Sequence, residues 1–382
     1  MELFDMNTEQ QEFRKALRKM LEKEAFPYFK EWEEQRDIPR AFWEKLGEHG
    51  FLMPWVEEQY GGLGVDFSYS AILTEELEKV GVGVSSGISL HADIVCPYIA
   101  DYGTAEQKEK WLPKSVAGQL ISAIAMTEPG AGSDLAGVKT VAKRQGDYYI
   151  LNGSKTFITN GGKADFIVVV CKTDPDAKPA YRGISLLVVE ADTPGFKRGK
   201  QLEKIGMHSG DTAELIFEDA KVPVSNLIGQ EGKGFYYLMD KLQQERLLVA
   251  LQVMVEAEEI LKLTIQYVKE RQAFGSRIAD FQNTRFKIAE MATEIDLGRS
   301  YVNQLVQKHI QKEEIVKEVS MAKWWISEMA KRVAAECLQL HGGYGYMEEY
   351  EIARRYRDMP VTSIYAGTTE VMKGIIAKKL LD

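Results

Sequence analysis

The chain has 382 residues, 45% of them apolar and 27% charged, which fits an ordinary globular protein long enough for two or three domains. A net charge of −9 leaves no basic stripe to neutralise phosphates and argues against a nucleic-acid role. No apolar run approaches the roughly eighteen residues of a membrane span. The start, Met1-Glu2-Leu3-Phe4-Asp5, is acidic and leads into a helical pattern, so no signal or transit peptide is expected. Cys96, Cys171 and Cys337 lie far apart in apolar surroundings and fit neither a disulfide framework nor a zinc site. The five histidines lack metal-ligand spacing. Buried thiols in a cytoplasmic enzyme without a metal are the working expectation.

Residues from about 8 to 121 read as helical. Phe13, Leu17, Met20 and Leu21 recur at helix spacing, with charged residues between them. A second pattern covers Leu73, Leu77 and Val80, with Ile72 widening the stripe, and Gly61-Gly62-Leu63-Gly64 separates the packed helices. Next comes the most unusual stretch, Met126-Thr127-Glu128-Pro129-Gly130-Ala131-Gly132-Ser133-Asp134. Gly130 and Gly132 can take positive φ and let the backbone approach a ligand, and Thr127 and Ser133 offer hydroxyls. An ordinary Pro-Gly turn is the plainer reading.

After this loop the period changes. Tyr148 to Leu151, Asn152-Gly153 and Thr156 to Thr159 together read as a β-hairpin, because Asn-Gly suits a type I′ turn. Phe166 to Val170, Ile184 to Val189 and Ala213 to Phe217 continue as strands, and their succession without helices predicts an antiparallel sheet. From Gly234 long helices return. Leu247, Ala250, Leu251, Met254, Leu261, Ile265 and Val268 mark one of them. Ile288, Met291, Ile295, Val302 and Leu305 mark the second, and Val319, Ala322, Ile326, Met329, Val333 and Cys337 the third. Their wide apolar faces imply a bundle with a surplus covered in an oligomer. The expected fold is α+β: an N-terminal helical domain (1–121), a central antiparallel β domain (122–230) and a C-terminal four-helix-type bundle (231–382).

Five segments in this order carry a resemblance. They are Ala125 to Asp134, Lys155 to Gly162, Arg271-Gln272-Ala273-Phe274-Gly275, Gln339-Leu340-His341-Gly342-Gly343-Tyr344-Gly345 and Ile364-Tyr365-Ala366-Gly367-Thr368-Thr369. With them the chain resembles the acyl-CoA dehydrogenases over essentially its whole length. The resemblance implies FAD, consistent with the lack of a Gly-x-Gly-x-x-Gly fingerprint; Gly81-Val82-Gly83 fails that spacing. It implies that Met126, Thr127 and the loop backbone around Gly132 meet the isoalloxazine edge, and that Ser133 reaches phosphate or ligand. Phe157, Ile158 and Thr159 would line the ring's other side, with Thr159 near the flavin N5. Many members carry Trp where Phe157 stands. For Phe157 alone, a hairpin core position is an equal reading.

Arg271, Gln282 and the Gln339, Leu340, Gly342 and Gly343 segment resemble the part of the family that grips the FAD of a neighbouring subunit, and Phe274 is a further cofactor-binding candidate. Arg271 supplies a delocalised cation for pyrophosphate, and Gly342-Gly343 ends a helix with room for the cofactor. Thr368, Thr369 and Glu370 are further candidates for cofactor contacts. His341 reads as a helix-end residue without a catalytic role.

The family's reaction removes an α-proton with a carboxylate, in many members a Glu directly before the Gly-Thr of the last segment. Here that position is Ala366, followed by Gly367. Glu245, in Gln243-Gln244-Glu245-Arg246-Leu247-Leu248, is the alternative base. Its helical neighbours are Lys241, Leu242, Leu248 and Val249, so desolvation should raise its pKa toward neutrality. A surface Lys241–Glu245 pair is the competing reading. The context resembles the long-chain and isovaleryl branches, where the base sits on this helix. The backbone N–H of Ala366 would still serve the thioester carbonyl, like an oxyanion hole. Ser133, Gly367, Arg246, Tyr236 and Gln243 are further candidates for acyl-CoA contacts.

The implied reaction is conversion of an acyl-CoA to a trans-2-enoyl-CoA, with the proton going to Glu245 and the hydride to flavin N5. It belongs to the chemistry of fatty-acid β-oxidation. Electrons would pass to an electron-transfer flavoprotein, from a homotetramer built as a dimer of dimers. A catalytically silent acyl-CoA-binding relative and an oxygen-using acyl-CoA oxidase are the rival readings.

Overall fold

The computed structural model describes residues 6–381. The expectation drawn from the acidic start, residues 1–5, falls outside the described residues. The leading helices are α1 (Thr8–Glu24), α2 (Phe29–Gln35), α3 (Arg40–Glu48), α4 (Phe67–Val80), α5 (Val82–Ser89), α6 (Cys96–Tyr102) and α7 (Ala105–Val116). Helix α1 starts with a capping box in which Asn7 and Gln10 satisfy each other's backbone N–H. Helix α4 differs from the expected amphipathic pattern: it is packed between α1 and α8 (Gly234–Glu270), and its glutamates are buried too. Glu76 is tied to Arg14 at 2.7 Å and Arg18 at 2.9 Å. Burial would raise its pKa, but Arg18, Lys79 and Arg14 outweigh this and hold the carboxyl down at about 2.

The strands are β1 (Ser122–Ala125), β2 (Val141–Gln145), β3 (Tyr148–Thr159), β4 (Phe166–Lys172), β5 (Ile184–Glu190), β6 (Phe196–Gln201) and β7 (Thr212–Pro223). They form one sheet in the order β1-β4-β2-β3-β7-β6, with β5 also on β4. The sheet is mixed, which corrects the antiparallel expectation: β1 and β2 pair parallel with β4. Parallel pairing requires a long crossover, and here the hairpin of β2 and β3 supplies it in place of a helix.

The Asn152-Gly153 hairpin is also corrected, since β3 runs straight through these residues. A register shift against β7 occurs at this point, and Gly153 has φ +150° with Thr140 where a side chain would stand. Asn152 exchanges two hydrogen bonds with Asp219 across the strands, at 3.0 and 2.9 Å. The chain reverses instead at Gly146, φ +60°, between β2 and β3. Strands β4 and β5 are apolar and buried on both faces. Phe166, Val168 and Val170 join the core of the leading helices, and Ile167, Val169 and Cys171 join the sheet's own core.

Helix α8 opens the C-terminal helical part. It is followed by the short β8 (Gln272–Ala273) and β9 (Ser276–Arg277), then α9 (Gln282–Ile310), α10 (Val316–His341), α11 (Glu351–Asp358) and α12 (Thr369–Leu381). The apolar residues expected to mark α8, α9 and α10 line one core, with Ile265 and Ile288 at its edge, except Val268, which is buried outside it. The three cysteines are buried free thiols. Among the described residues no helix is long and apolar enough to cross a membrane. Nor does any group of three or more His, Cys, Asp or Glu form a metal cradle among them.

Candidate active site

Buried β1 delivers the chain into the 126–134 loop. Glu128 and Ala131 exchange backbone hydrogen bonds at 2.8 and 3.1 Å, closing the loop on itself. Neither Gly130 nor Gly132 takes a left-handed φ, so tightness comes from this bridge and not from the glycines. Both glycines face open space, with nothing within 4 Å of where a Cβ would stand, and Ser133 is exposed beside them. The loop is fastened to β3 by Thr156 N–H donating to the Thr127 carbonyl at 3.0 Å. It is fastened again by Lys155, whose Nζ donates to the Met126 carbonyl at 2.9 Å and to Glu128 at 2.8 Å. Glu128 in turn accepts the N–H groups of Lys139 and Thr140. Lys155 and Glu128 escaped the sequence reading because charged residues in strands and loops ordinarily face water.

These ties bring Met126, Thr127, Phe157, Ile158 and Thr159 together. Phe157 sits at a bulge in β3 with φ +60°, and its ring is 68% exposed. It is therefore not a core residue. Ile158 points inward and is buried in the sheet core, so only its backbone faces the loop side; Thr159 is half-buried.

A second group gathers beyond the far end of α8. Arg271 is exposed, with its guanidinium 5.0 Å from the Tyr344 ring centre. Tyr267 stacks on His341 at 4.2 Å and donates to its carbonyl at 3.1 Å, joining this helix end to the Gln339–Gly343 segment. His341 is buried and bonded to the Cys337 carbonyl at 2.8 Å; burial lowers its pKa, in keeping with a structural role. Gln339, Gly342 and Gly343 are exposed, and Gly342 ends α10 at φ +59° with open space around it. Leu340 is half-buried against the bundle core. Phe274 is 95% exposed, and Gln282 is exposed at the start of α9. Thr368 accepts the Val371 N–H at 3.4 Å at the start of α12, and Glu370 is exposed. Thr369 turns inward, donating to Glu328 at 2.7 Å, so its hydroxyl is not presented outward.

The third group surrounds Glu245 on α8. The residue is 5% exposed, and its carboxyl accepts a hydrogen bond from Tyr98 Oη at 2.9 Å. Burial pushes its pKa up to about 7, against the opposing pull of the Tyr98 hydrogen bond and the Arg246 and Lys241 charges. The Lys241–Glu245 surface pair is not formed: Lys241 pairs with Asp101 and Asp240. Buried Arg246 has no hydrogen-bond partner at Nε, and its charge acts on both Glu245 and Lys323. Lys323, fully buried on α10, donates to the Gly367 carbonyl at 2.5 Å. Burial, then Arg246, lowers its pKa to about 8. It fastens the turn in which Ala366 and Gly367 both have positive φ, +52° and +97°. Tyr236 is exposed beside Lys233 and Tyr181. Gln243 is committed elsewhere: it donates to the Glu313 carbonyl at 3.0 Å and accepts from Ile315 N–H at 2.8 Å. It braces the link from α9 to α10, a tie across some seventy residues that local pattern does not reveal.

The donor set suits a flavin dinucleotide. Open glycine backbone, hydroxyls and an exposed aromatic flank the 126–134 loop, while an exposed guanidinium over Tyr344 and a glycine helix end form the second group. A desolvated carboxyl that titrates near neutrality has the properties of a general base.

Comparison with known proteins gives the family. The profile of the acyl-CoA dehydrogenase N-terminal domain matches residues 7–119, that of the middle domain residues 123–220 and that of the C-terminal domain residues 232–381. The chain is 48% identical over 370 residues to the long-chain specific acyl-CoA dehydrogenase of Rattus norvegicus mitochondria, covering 97% of this chain and 86% of the relative. A crystal structure of an acyl-CoA dehydrogenase from Geobacillus kaustophilus superposes with a TM-score of 0.98 at 66% identity, covering 99% of both chains. An acyl-CoA dehydrogenase from Bacillus anthracis, solved in complex with FAD, superposes with a TM-score of 0.92 at 32% identity, covering 99% of this chain and 67% of that one.

Proposed function

The chain belongs to the acyl-CoA dehydrogenase family of FAD enzymes, and from that premise we propose that it oxidises an acyl-CoA thioester to the trans-2-enoyl-CoA with Glu245 as base. The observation that carries this reading is the burial of Glu245 with a pKa near 7. Such a carboxylate is ionised enough at neutral pH to take a proton and basic enough to hold it. FAD supplies the acceptor for the hydride that leaves the β-carbon. Met126, Thr127, Ser133 and the backbone around Gly132 would hold it, with Phe157 packing against its ring. The backbone N–H of Ala366 would donate to the thioester carbonyl, where developing negative charge makes the α-proton more acidic. Lys323 keeps that turn in place through Gly367.

Arg271 favours an oligomer. At 1.5 Å per residue along α8 it lies roughly 39 Å from Glu245, a separation that supports a role in a neighbour's site over one beside the same chain's base. Exposed Phe274, Phe286 and Leu297 give that neighbour an apolar surface to cover. A homotetramer arranged as a dimer of dimers is the assembly we propose. The reoxidation partner we propose is an electron-transfer flavoprotein, which the family resemblance supports.

The test is anaerobic reduction of the holoenzyme by acyl-CoA, followed as loss of flavin absorbance. Glu245→Gln should slow it by roughly 10²- to 10⁴-fold. Unchanged bleaching would remove Glu245 as the base. Comparing turnover with oxygen, a dye acceptor and an electron-transfer flavoprotein separates a dehydrogenase from an oxidase.

A further inference from the structure

Helices α5 and α6 are joined by a π-helical turn over Leu90–Val95, making one rod from Val82 to Tyr102. A π turn inserts one residue into the helical pattern and rotates everything beyond it by roughly 100°. Within the turn, the His91 ring is held by Ser122 at 2.8 Å, toward the sheet. Beyond it, α6 is bound side chain by side chain to the part of α8 that carries Glu245. Tyr98 Oη donates to Glu245 Oε1 at 2.9 Å, Tyr102 Oη donates to Asp240, and Lys241 pairs with Asp101. Gln244, adjacent to Glu245, donates to the Asp93 carbonyl of the π turn at 2.7 Å.

We propose that Tyr98 is the positioning residue of the base: its hydroxyl fixes the orientation of the Glu245 carboxylate and favours its ionised form. This rests on the reading of Glu245 as the base. The hydrogen bond occupies Oε1, which leaves Oε2 to receive the substrate's α-proton, and no proton leaves Tyr98. Burial and the Glu245 charge push the Tyr98 hydroxyl well above its ordinary range, so it stays a donor throughout. Around this pair stand Asp93 of the π turn, Asp101 and Tyr102 of α6, Asp240, Lys241 and Arg246 of α8, His309 of α9 behind Gln244, and Lys323 of α10.

The experiment compares wild-type, Tyr98→Phe and Tyr102→Phe holoenzymes, with Glu245→Gln as reference. The first readout is the pH profile of anaerobic flavin reduction. The second, independent of turnover, is the pH titration of the Glu245 carboxyl band in infrared difference against Glu245→Gln, without substrate. Tyr98→Phe should move both midpoints up by about one pH unit, because a hydrogen bond to the charged form is lost. The rate at neutral pH should then fall roughly fivefold and partly recover at alkaline pH. Tyr102→Phe, on the same helix but without a bond to Glu245, should leave the midpoint in place. Site-specific 3-fluorotyrosine at position 98, a stronger donor of nearly the same shape, should move it down. An unmoved midpoint in Tyr98→Phe with an inactive Glu245→Gln would overturn this inference alone. Full activity in Glu245→Gln would overturn the base assignment and this inference with it.

Discussion

Lys155 and Glu128 form an ion pair 2.8 Å apart whose side chains are 0% and 6% exposed, and this pair fastens the 126–134 loop to β3. Burial would raise the Glu128 pKa, but Lys155 and the Thr140 and Lys139 donors outweigh it and hold the carboxyl below the ordinary range. Removing one member leaves the other buried without its counter-charge, the most damaging way to break such a pair. Lys155→Met should therefore destabilise the fold by about 3–5 kcal/mol and lower FAD occupancy. The combined Lys155→Met, Glu128→Gln variant should recover part of the stability. Thermal melts and the ratio of flavin to protein absorbance check both.

The Glu245 carboxyl has a folded pKa of about 7 against an ordinary value of 4.5, so the folded state holds its proton more tightly than the unfolded chain. Stability from this group is complete below pH 4.5 and is lost as pH rises through 7, with no further change above. Glu245→Gln has no proton to lose. Its stability relative to wild type should rise across this window by on the order of 3 kcal/mol and then level off. Denaturant melts of the two proteins at pH 5, 6, 7 and 8 measure the difference; a flat difference would contradict the burial of a titrating carboxyl.

Lys323 should trade stability against activity. Its pKa of about 8 lies below the ordinary 10.5, so the buried ammonium penalises the fold below pH 8, and the penalty disappears between 8 and 10.5. Lys323→Met should melt higher than wild type at pH 7, with the gap closing toward pH 10. It should also lower kcat/KM, because the Gly367 carbonyl loses its tether and the Ala366 turn loosens. Melting curves and steady-state kinetics on the same preparations test the pairing.

Phe157 touches little within the fold, so Phe157→Ala should leave apoprotein stability within about 0.5 kcal/mol. FAD binding should weaken roughly two- to tenfold, the worth of one aromatic stacking contact. Equilibrium dialysis with FAD distinguishes this from a structural effect.

Much of the architecture was legible because α8, α9 and α10 repeat their apolar period over many turns, which leaves little choice of face. Glu245 was legible in part: three of its four helical neighbours are apolar, but the pattern alone left a surface pair with Lys241 equally open, and the family resemblance favoured the buried base. Tyr98 was not, since its bond to Glu245 spans 147 positions and no local pattern links them. Strand β6 escaped because Lys197-Arg198-Gly199-Lys200 shows no alternation and its face is mostly wet. At Asn152-Gly153 a strong local turn signal lost to the cross-strand ladder, because the Asn152 side chain was better satisfied by Asp219. The parallel pairing of β1 with β4 is a matter of connectivity, which composition along a strand does not encode.

Because β4 and β5 bury apolar side chains on both faces, the middle third of the chain is no transferable cassette. Excised, it would expose Phe166, Val168, Val170, Leu186 and Val188 as one bare surface and associate with itself. Chimeras between relatives should therefore exchange the leading helices and the sheet together, and splice downstream, near the start of α8.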